Sequence, residues 1–552
     1  MTDELSLTVI WGRLVAIAEQ MGRVVQRTAY SESIREGRDF SIGLFSADGQ
    51  LLAQADLSPG HLGAMPHVVQ NCLAEYPPET LKEGDVVVLN DSFLGSGHLP
   101  DFFCLSPVTL GDRKIGYVVS SAHLLDVGGP RPGSQAIEGV DNMYSEGLRL
   151  PPVRLFDSGL LNNELARVIA ANSRVPAKVL GDLASMRGAL HVGAQHFREL
   201  RTRYGLKTTE AVFNAILDRS EEAVRSELDR LPRGRFRFVD FLDDVGARTP
   251  PVRMEVEVTI ADREITYDFS GSDPQTPSAI NSPLSFTRAF CYWATKAITV
   301  GNALPQNSGQ LRPIRVHAPQ GSFFNPQPPA ASGGRALLNQ RIVELIFGAL
   351  AAAIPERVTA ASGQWSNPTL GGIDPRTGQA FVFYDYTVGG VGARLTSDGV
   401  NALSPVFSLQ NIPVEVQEAN YPLRIERLEL MTDSGGPGEH RGGLSVRKDL
   451  RILADDVELS CLTDRAKYAA FGVMGGKFGT ASKIVLNPGR GERRLHSKGS
   501  YRLKAGDVVS FRGSGSGGFG SPRRRSRQSV EDDLREGYVS RAAARAVYGL
   551  DV

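Results

Sequence analysis

Charge of one sign is missing from this chain. Lys+Arg and Asp+Glu each number 61 in 552 residues, so nothing global argues for nucleic acid or an acidic membrane surface. Cysteine is scarce. The four present (Cys72, Cys104, Cys291, Cys461) stand far apart and form no C-x-x-C pair, which excludes a disulfide scaffold and predicts a reducing, cytoplasmic setting. No apolar run reaches the ~18 residues of a membrane span. The start, Met1-Thr2-Asp3-Glu4-Leu5, is acidic and lacks the basic region of a signal peptide. Gly (59) and Pro (32) are frequent but follow no period, which excludes a fibrous repeat. Neither a G-x-x-x-x-G-K-[ST] phosphate loop nor a G-x-S-x-G nucleophile elbow occurs. If the reaction uses ATP, the nucleotide is expected on another chain.

What is present is concentrated. Asn90-Asp91-Ser92-Phe93-Leu94-Gly95-Ser96-Gly97-His98-Leu99-Pro100-Asp101 and Ser121-Ala122-His123-Leu124-Leu125-Asp126 hold two of the nine histidines and three carboxylates. Between them, two apolar runs flank Gly111-Asp112-Arg113, a hairpin signal. Folding there sets Asp101 opposite residue 122 or 123 and brings His98, Asp101 and His123 together. Two imidazoles and a carboxylate suit a borderline divalent metal such as zinc. No cysteine belongs to the group, which favours an open catalytic site over a closed structural one. Pro100 keeps His98 and Asp101 off an ordinary helix, so their meeting depends on the hairpin. Asp126 lies close enough in sequence to orient a ligand or to shuttle a proton.

Other candidates are weaker on the residues alone. His61 and His67 lie in a glycine-bordered loop, where a plain hydrogen-bonded loop histidine is the competing reading. Asp39 opens a strand running to Phe45. Glu146 and Arg149 flank a turn and either hold a substrate or, as expected of the residues alone, pair with each other. His191 and His196, five apart, do not share a helix face. The run Arg523-Arg524-Arg525-Ser526-Arg527 reads as a solvated turn.

The pattern predicts an α+β, multi-domain chain. Residues 1–158 form an N-terminal mixed α/β metal-site region that opens on an amphipathic helix from residue 5 to about 30. A helical middle segment covers 159–232. A mixed α/β region covers 233–420, with a hairpin over 252–271 and a helix that Asn339 is placed to cap. A β-rich C-terminal region with a terminal helix covers 421–552.

Several of these stretches carry a resemblance. They are Arg38-Asp39-Phe40-Ser41, His61-Leu62-Gly63-Ala64-Met65, His98-Leu99-Pro100-Asp101, Ala122-His123 with Asp126-Val127-Gly128-Gly129, and Glu146-Gly147-Leu148-Arg149-Leu150-Pro151-Pro152. Asp433-Ser434-Gly435-Gly436-Pro437-Gly438 and Arg441-Gly442-Gly443 follow in the same order. Together they make the chain resemble the hydantoinase B/oxoprolinase family. The resemblance implies a B-type subunit in a hetero-oligomer with a hydantoinase A-type, ATP-using partner. It implies hydrolysis of a cyclic amide (hydantoin, oxoproline or lactam) at a divalent metal, zinc or manganese. His98, Asp101 and His123 are then the implied ligands, with Asp39 a fourth. His61, Asp126 and Glu146 complete the expected catalytic set. A ketone carboxylase subunit is the alternative enzyme, and a noncatalytic scaffold is the alternative outside catalysis. Two departures bear on the pocket. Ser92-Phe93 stand where the family usually has Pro-Tyr, and Leu124 stands where it usually has a second histidine.

Overall fold

The computed structural model describes residues 4–55, 57–404, 406–407 and 409–550. The first half is organised on a seven-stranded sheet, ordered β2-β1-β5-β4-β3-β6-β7. Its strands are β1 (Phe40–Phe45), β2 (Leu51–Gln54), β3 (Val86–Leu89), β4 (Asp101–Leu110), β5 (Arg113–His123), β6 (Val153–Asp157) and β7 (Leu160–Leu161). β4 and β5 form the long hairpin, with Leu110 opposite Arg113 at the turn and Asp101 opposite His123 at the open end. β1 runs antiparallel along the other side of β5, with Phe40 beside Ala122. The His123 N–H then donates to the Asp39 carbonyl at 3.0 Å. Three neighbouring strands therefore meet at one end of the sheet.

The strands read as unbroken apolar runs because both faces are covered. Phe103, Leu105, Tyr117 and Val119 enter one core, and Phe102, Cys104, Val118 and Ala122 enter another. Successive side chains alternate between faces, so Asp101 and His123 share the face of Phe103 and Val119. That face meets helices α2 (Pro59–Glu75), α5 (Leu284–Ile298) and α6 (Ala336–Leu350). The opposite face is closed by α1 (Glu4–Thr28), α3 (Pro176–Tyr204) and α4 (Leu206–Asp229).

A second sheet, β11-β10-β9-β8, comprises β8 (Gly234–Leu242), β9 (Val252–Ala261), β10 (Glu264–Asp268) and β11 (Ile314–His317). It packs with α5 and α6. Two sheets share the last core: β13-β12-β16-β19 and β14-β15-β20-β17-β18. Their strands are β12 (Thr369–Ile373), β13 (Ala380–Tyr384), β14 (Leu423–Leu430), β15 (Val446–Ile452), β16 (Val457–Ser460), β17 (Lys483–Leu486), β18 (Arg493–Leu495), β19 (Ser500–Leu503) and β20 (Val508–Arg512).

Two of the expected boundaries need correction. The helical segment 159–232 shares one apolar core with the first sheet, because α3 and α4 cover an entire face of it. A cut at 420 divides a sheet, since β12 pairs with β16 across it. Asn339 is not a cap either: it lies inside α6, which starts at Ala336. The arginine run is not simply solvated, because Arg525 is buried between Asp398 and Asp533, at 2.7 Å from each. No described helix is long and apolar enough to cross a membrane.

Candidate functional site

The open end of the β4–β5 hairpin is braced by the loop before it. Asn90 donates from Nδ2 to the carbonyls of Leu99 (2.6 Å) and Leu148 (2.8 Å), and its Oδ1 accepts from Leu150 N–H at 2.6 Å. Asp91 caps the short turn 92–94 by accepting from the N–H groups of Phe93 and Leu94. Ser96 donates to the carbonyls of Asn90 and His98. Gly97 has φ +78°, and a Cβ there would collide with the Phe286 ring and come within 2.6 Å of Arg335 Nε. This tight loop delivers His98 to the sheet edge.

His98, Asp101 and His123 each offer a ligand atom, and these atoms lie within 4.8 Å of one another. All three side chains are buried. Asp101 is the hub. Its Oδ1 accepts from His123 Nδ1 at 3.0 Å and lies 2.9 Å from His98 Nε2, the latter without hydrogen-bond alignment. Its Oδ2 lies 3.0 Å from His61 Nε2 and pairs with Arg335. Asp39 lines the same cavity, and its Oδ2 accepts from Tyr386 Oη at 3.0 Å. Asp39 stands outside the 4.8 Å group.

Electrostatics set the protonation states. Burial works against the Asp101 carboxylate, but His98, His61 and Arg335 outweigh it and hold Asp101 well below the usual carboxylate range. Burial, reinforced by Arg335, pushes His98 down to about 3, which leaves a neutral imidazole. Burial also opposes the charged form of His61, but Asp101 overrides it and His61 is raised. A neutral His98 imidazole beside an ionised Asp101 carboxylate is the form a metal requires. Nε2 of His98 and Nε2 of His123 are buried without a hydrogen-bond partner. Two orphaned nitrogens beside a carboxylate fit a divalent ion of zinc type.

The remaining candidates are placed differently. His61 joins the cavity from the first turn of α2. His67, further along that helix, is not among the residues lining it. The expected role of Asp126 is corrected. Its oxygens accept from Arg174 (N at 2.6 Å, Nη1 at 2.8 Å) and Gly133 N–H at 3.2 Å, so it fastens loops rather than serving the cluster. The Glu146–Arg149 pairing is also corrected. Arg149 pairs with Asp91 at 3.2 Å, while Glu146 Oε1 accepts the N–H groups of Ser332 and Gly333. The Gly333 carbonyl lies 3.2 Å from His98 Nδ1, so Glu146 holds the segment against which His98 is set. Gln135 Nε2 reaches the same Nδ1 at 3.0 Å. Leu124 is buried in the core on the opposite sheet face, and neither it, Ser92 nor Phe93 lines the cavity.

Glu146 yields a stability prediction. Burial pushes its carboxyl from 4.5 up to about 8. The unfolded chain releases this proton near 4.5 and the folded chain near 8, so stability is full below 4.5 and falls as pH rises to 8. Glu146→Gln keeps an acceptor for Ser332 and Gly333 and removes the ionisation. Melts across that interval should show a decline shallower by up to ~1.4 kcal/mol per pH unit in the variant. Parallel profiles would refute the assignment.

No sequence pattern marks Arg335, Tyr384, Tyr386, Gln135 or Gly333 as site residues. The one local signal is the small-residue run Ser332-Gly333-Gly334 before an apolar helix.

Comparison with known proteins places this arrangement. The family model for hydantoinase B/oxoprolinase matches residues 3–522. The chain belongs to that family. An uncharacterised protein of Methanocaldococcus jannaschii is 34% identical over 100% of this chain and 96% of its own. A putative D-/L-hydantoinase B-type subunit of Pseudomonas sp. (strain NS671) is 31% identical over 100% of this chain and 95% of its own. A 5-oxoprolinase of Dictyostelium discoideum is 31% identical over 94% of this chain, which spans 40% of that larger protein. Among solved structures, the ATP-dependent caprolactamase from Pseudomonas jessenii superposes with a TM-score of 0.93 at 29% identity, covering 100% of this chain and 96% of that one. Acetone carboxylase shares the fold, with a TM-score of 0.91 at 18% identity, covering 100% and 80%.

Proposed function

We propose that this family member is the ring-opening subunit of an ATP-dependent cyclic amidase, paired with a hydantoinase A-type subunit that uses the ATP. The observation carrying the reading is the buried His98, Asp101, His123 group, in which Nε2 of His98 and Nε2 of His123 make no hydrogen bond. The relatives named as hydantoinase, 5-oxoprolinase and caprolactamase proteins support the substrate class. The likeness to acetone carboxylase is one of fold and carries no activity.

An unstrained cyclic amide is a poor electrophile. In this reading the partner phosphorylates the ring carbonyl oxygen; water adds to that carbon and the ring C–N bond breaks to leave an acyl phosphate, which a second water hydrolyses to carboxylate and free phosphate. His98, Asp101 and His123 would hold a zinc ion, with Asp39 as a fourth ligand. When bound, such an ion acidifies water and polarises a carbonyl. Arg335 presents a fixed positive charge at the cavity wall, set to stabilise the negative charge that develops on oxygen. His61, whose Nδ1 has no partner, can hand a proton to the departing ring nitrogen. Tyr386 holds Asp39 in place through its hydroxyl.

The test uses the purified chain and its complex with the partner. Elemental analysis should find about one divalent ion per chain. The complex should couple ATP hydrolysis to the opening of hydantoin, oxoproline or caprolactam rings. ATP turnover that depends on a ketone and bicarbonate, with no ring opened, would replace this reading by the carboxylase one. A chain without tightly bound metal would favour a scaffold.

A further inference from the structure

The Nδ1 of His98 stands between a donor and an acceptor. Gln135 Nε2 approaches it at 3.0 Å and the Gly333 carbonyl at 3.2 Å. A neutral imidazole carries one ring proton, so Nδ1 satisfies only one of the two at a time. Behind Gln135 lies a closed triangle of hydrogen bonds. Asn367 Nδ2 donates to Gln135 Oε1 and to Tyr384 Oη, and Tyr384 Oη donates to Gln135 Oε1 at 2.8 Å. Asn367 precedes β12, and Tyr384 ends β13, the strand paired with it. Gln135, Asn367 and Tyr384 are all buried. In this setting Gln135 can only donate to His98, which puts the ring proton on Nε2, the nitrogen nearest Asp101.

We propose that Gln135 is a positioning residue that sets the tautomer of His98, and that its carboxamide turns over, together with that of Asn367, when His98 Nε2 takes a metal ion. The inference rests on the metal reading and specifies what the chain rearranges to load the site. A neutral histidine that offers Nε2 to a metal carries its proton on Nδ1. That proton would point at the Gln135 amino group, two donors face to face in a buried space. Turning Gln135 over presents Oε1 instead, and Nδ1–H is shared between that oxygen and the Gly333 carbonyl. The triangle can follow without moving its corners. With Asn367 turned over as well, Gln135 Nε2 donates to Asn367 Oδ1 and to Tyr384 Oη, while Tyr384 Oη donates to Asn367 Oδ1. In the present setting Asn367 has one polar atom without a partner, Oδ1, and in the reversed setting Nδ2 takes its place. The triangle therefore makes the same number of hydrogen bonds either way, and the occupant of His98 Nε2 decides between them.

The test follows the His98 ring nitrogens by nitrogen NMR of the whole chain, labelled at its nine histidines, before and after addition of Zn2+. The signals that disappear in His98→Gln assign them. The metal-free wild type should carry the proton on Nε2, and the Zn2+-loaded chain on Nδ1. Gln135→Glu has two acceptor oxygens and should hold the proton on Nδ1 even without metal. Asn367 makes no hydrogen bond to His98, yet Asn367→Asp should do the same, because an acceptor at 367 turns Gln135 Nε2 towards itself. Both variants should also bind Zn2+ more tightly, by ~10-fold in competition with a chromophoric chelator. A role in packing alone would not move the proton. A metal-free wild type already protonated on Nδ1 would overturn the proposal and leave the tautomer to Gly333. A variant of either kind that keeps the proton on Nε2 would overturn it as well. A wild type that binds no Zn2+ would sink the metal reading and the turnover with it, a result read from the chelator competition and distinct from the other two.

Discussion

Asp101→Asn should empty the cluster of metal and slow ATP-coupled ring opening by more than ~100-fold. Loss of a residue that merely supports a ligand costs ~10–100-fold in metal affinity or activity, so loss of a ligand should exceed that. Asp101 is also the counter-charge for Arg335, which is buried beside it and stacked 3.4 Å from the Phe286 ring centroid. Asparagine preserves the shape and removes the charge. Arg335 is then a buried cation facing only the more distant Asp39, and breaking a buried pair from one side costs ~3–5 kcal/mol. The variant should therefore melt earlier even without metal. On the proposed reading, the partner's ATP hydrolysis should persist in part, because phosphorylation would precede the step lost here. A variant that retains a full equivalent of metal and opens rings at the normal rate would remove the cluster from the mechanism.

The second large effect is expected at a different buried charge group, on α6. Arg341 is fully buried, with Nη1 at 2.7 Å from Asp464 and Nη2 at 2.7 Å from Asp240. Asp464 is paired with Lys498 at 2.9 Å as well. Arg341 thereby joins β8 of the second sheet to the C-terminal half. Arg341→Met fills the space but leaves Asp240 and Asp464 with less compensation, at a cost of ~3–5 kcal/mol. Thermal or denaturant melts read the loss. Adding Asp464→Asn should restore part of it, because the double change removes one of the stranded charges. If the double variant is no more stable than the single, lost packing rather than charge is the cause.

Local signals in the sequence locate the hairpin and the group that meets at its end. Two apolar runs on either side of Gly111-Asp112 mark a hairpin, and the observed pairing of Asp101 with His123 falls within the expected register. The family resemblance holds across residues 3–522. Contacts between distant segments are not legible in the same way. Asp126 reads naturally against its sequence neighbours, yet its partner is Arg174. Glu146 reads against Arg149, yet its partners are backbone N–H groups at 332 and 333, which no side-chain pattern announces. Arg335 is separated from Asp101 by 234 residues. Domain boundaries fail for a related reason. The sheets join strands from non-adjacent stretches, and composition does not record which strands pair.

The hydrogen bond between Tyr386 and Asp39 spans 347 residues of chain. On a ribosome, the N-terminal sheet can collapse long before that tyrosine emerges, since chains fold as they are made. Its edge would hold histidines and carboxylates, but neither the Arg335 charge nor the tyrosine lid over Asp39. On the proposed metal reading, an ion meeting that half-made edge would lack the Arg335 and Tyr386 contacts of the finished site. On that reading, insertion of the ion would best follow synthesis of residue 386, when the second half of the chain has closed over the first.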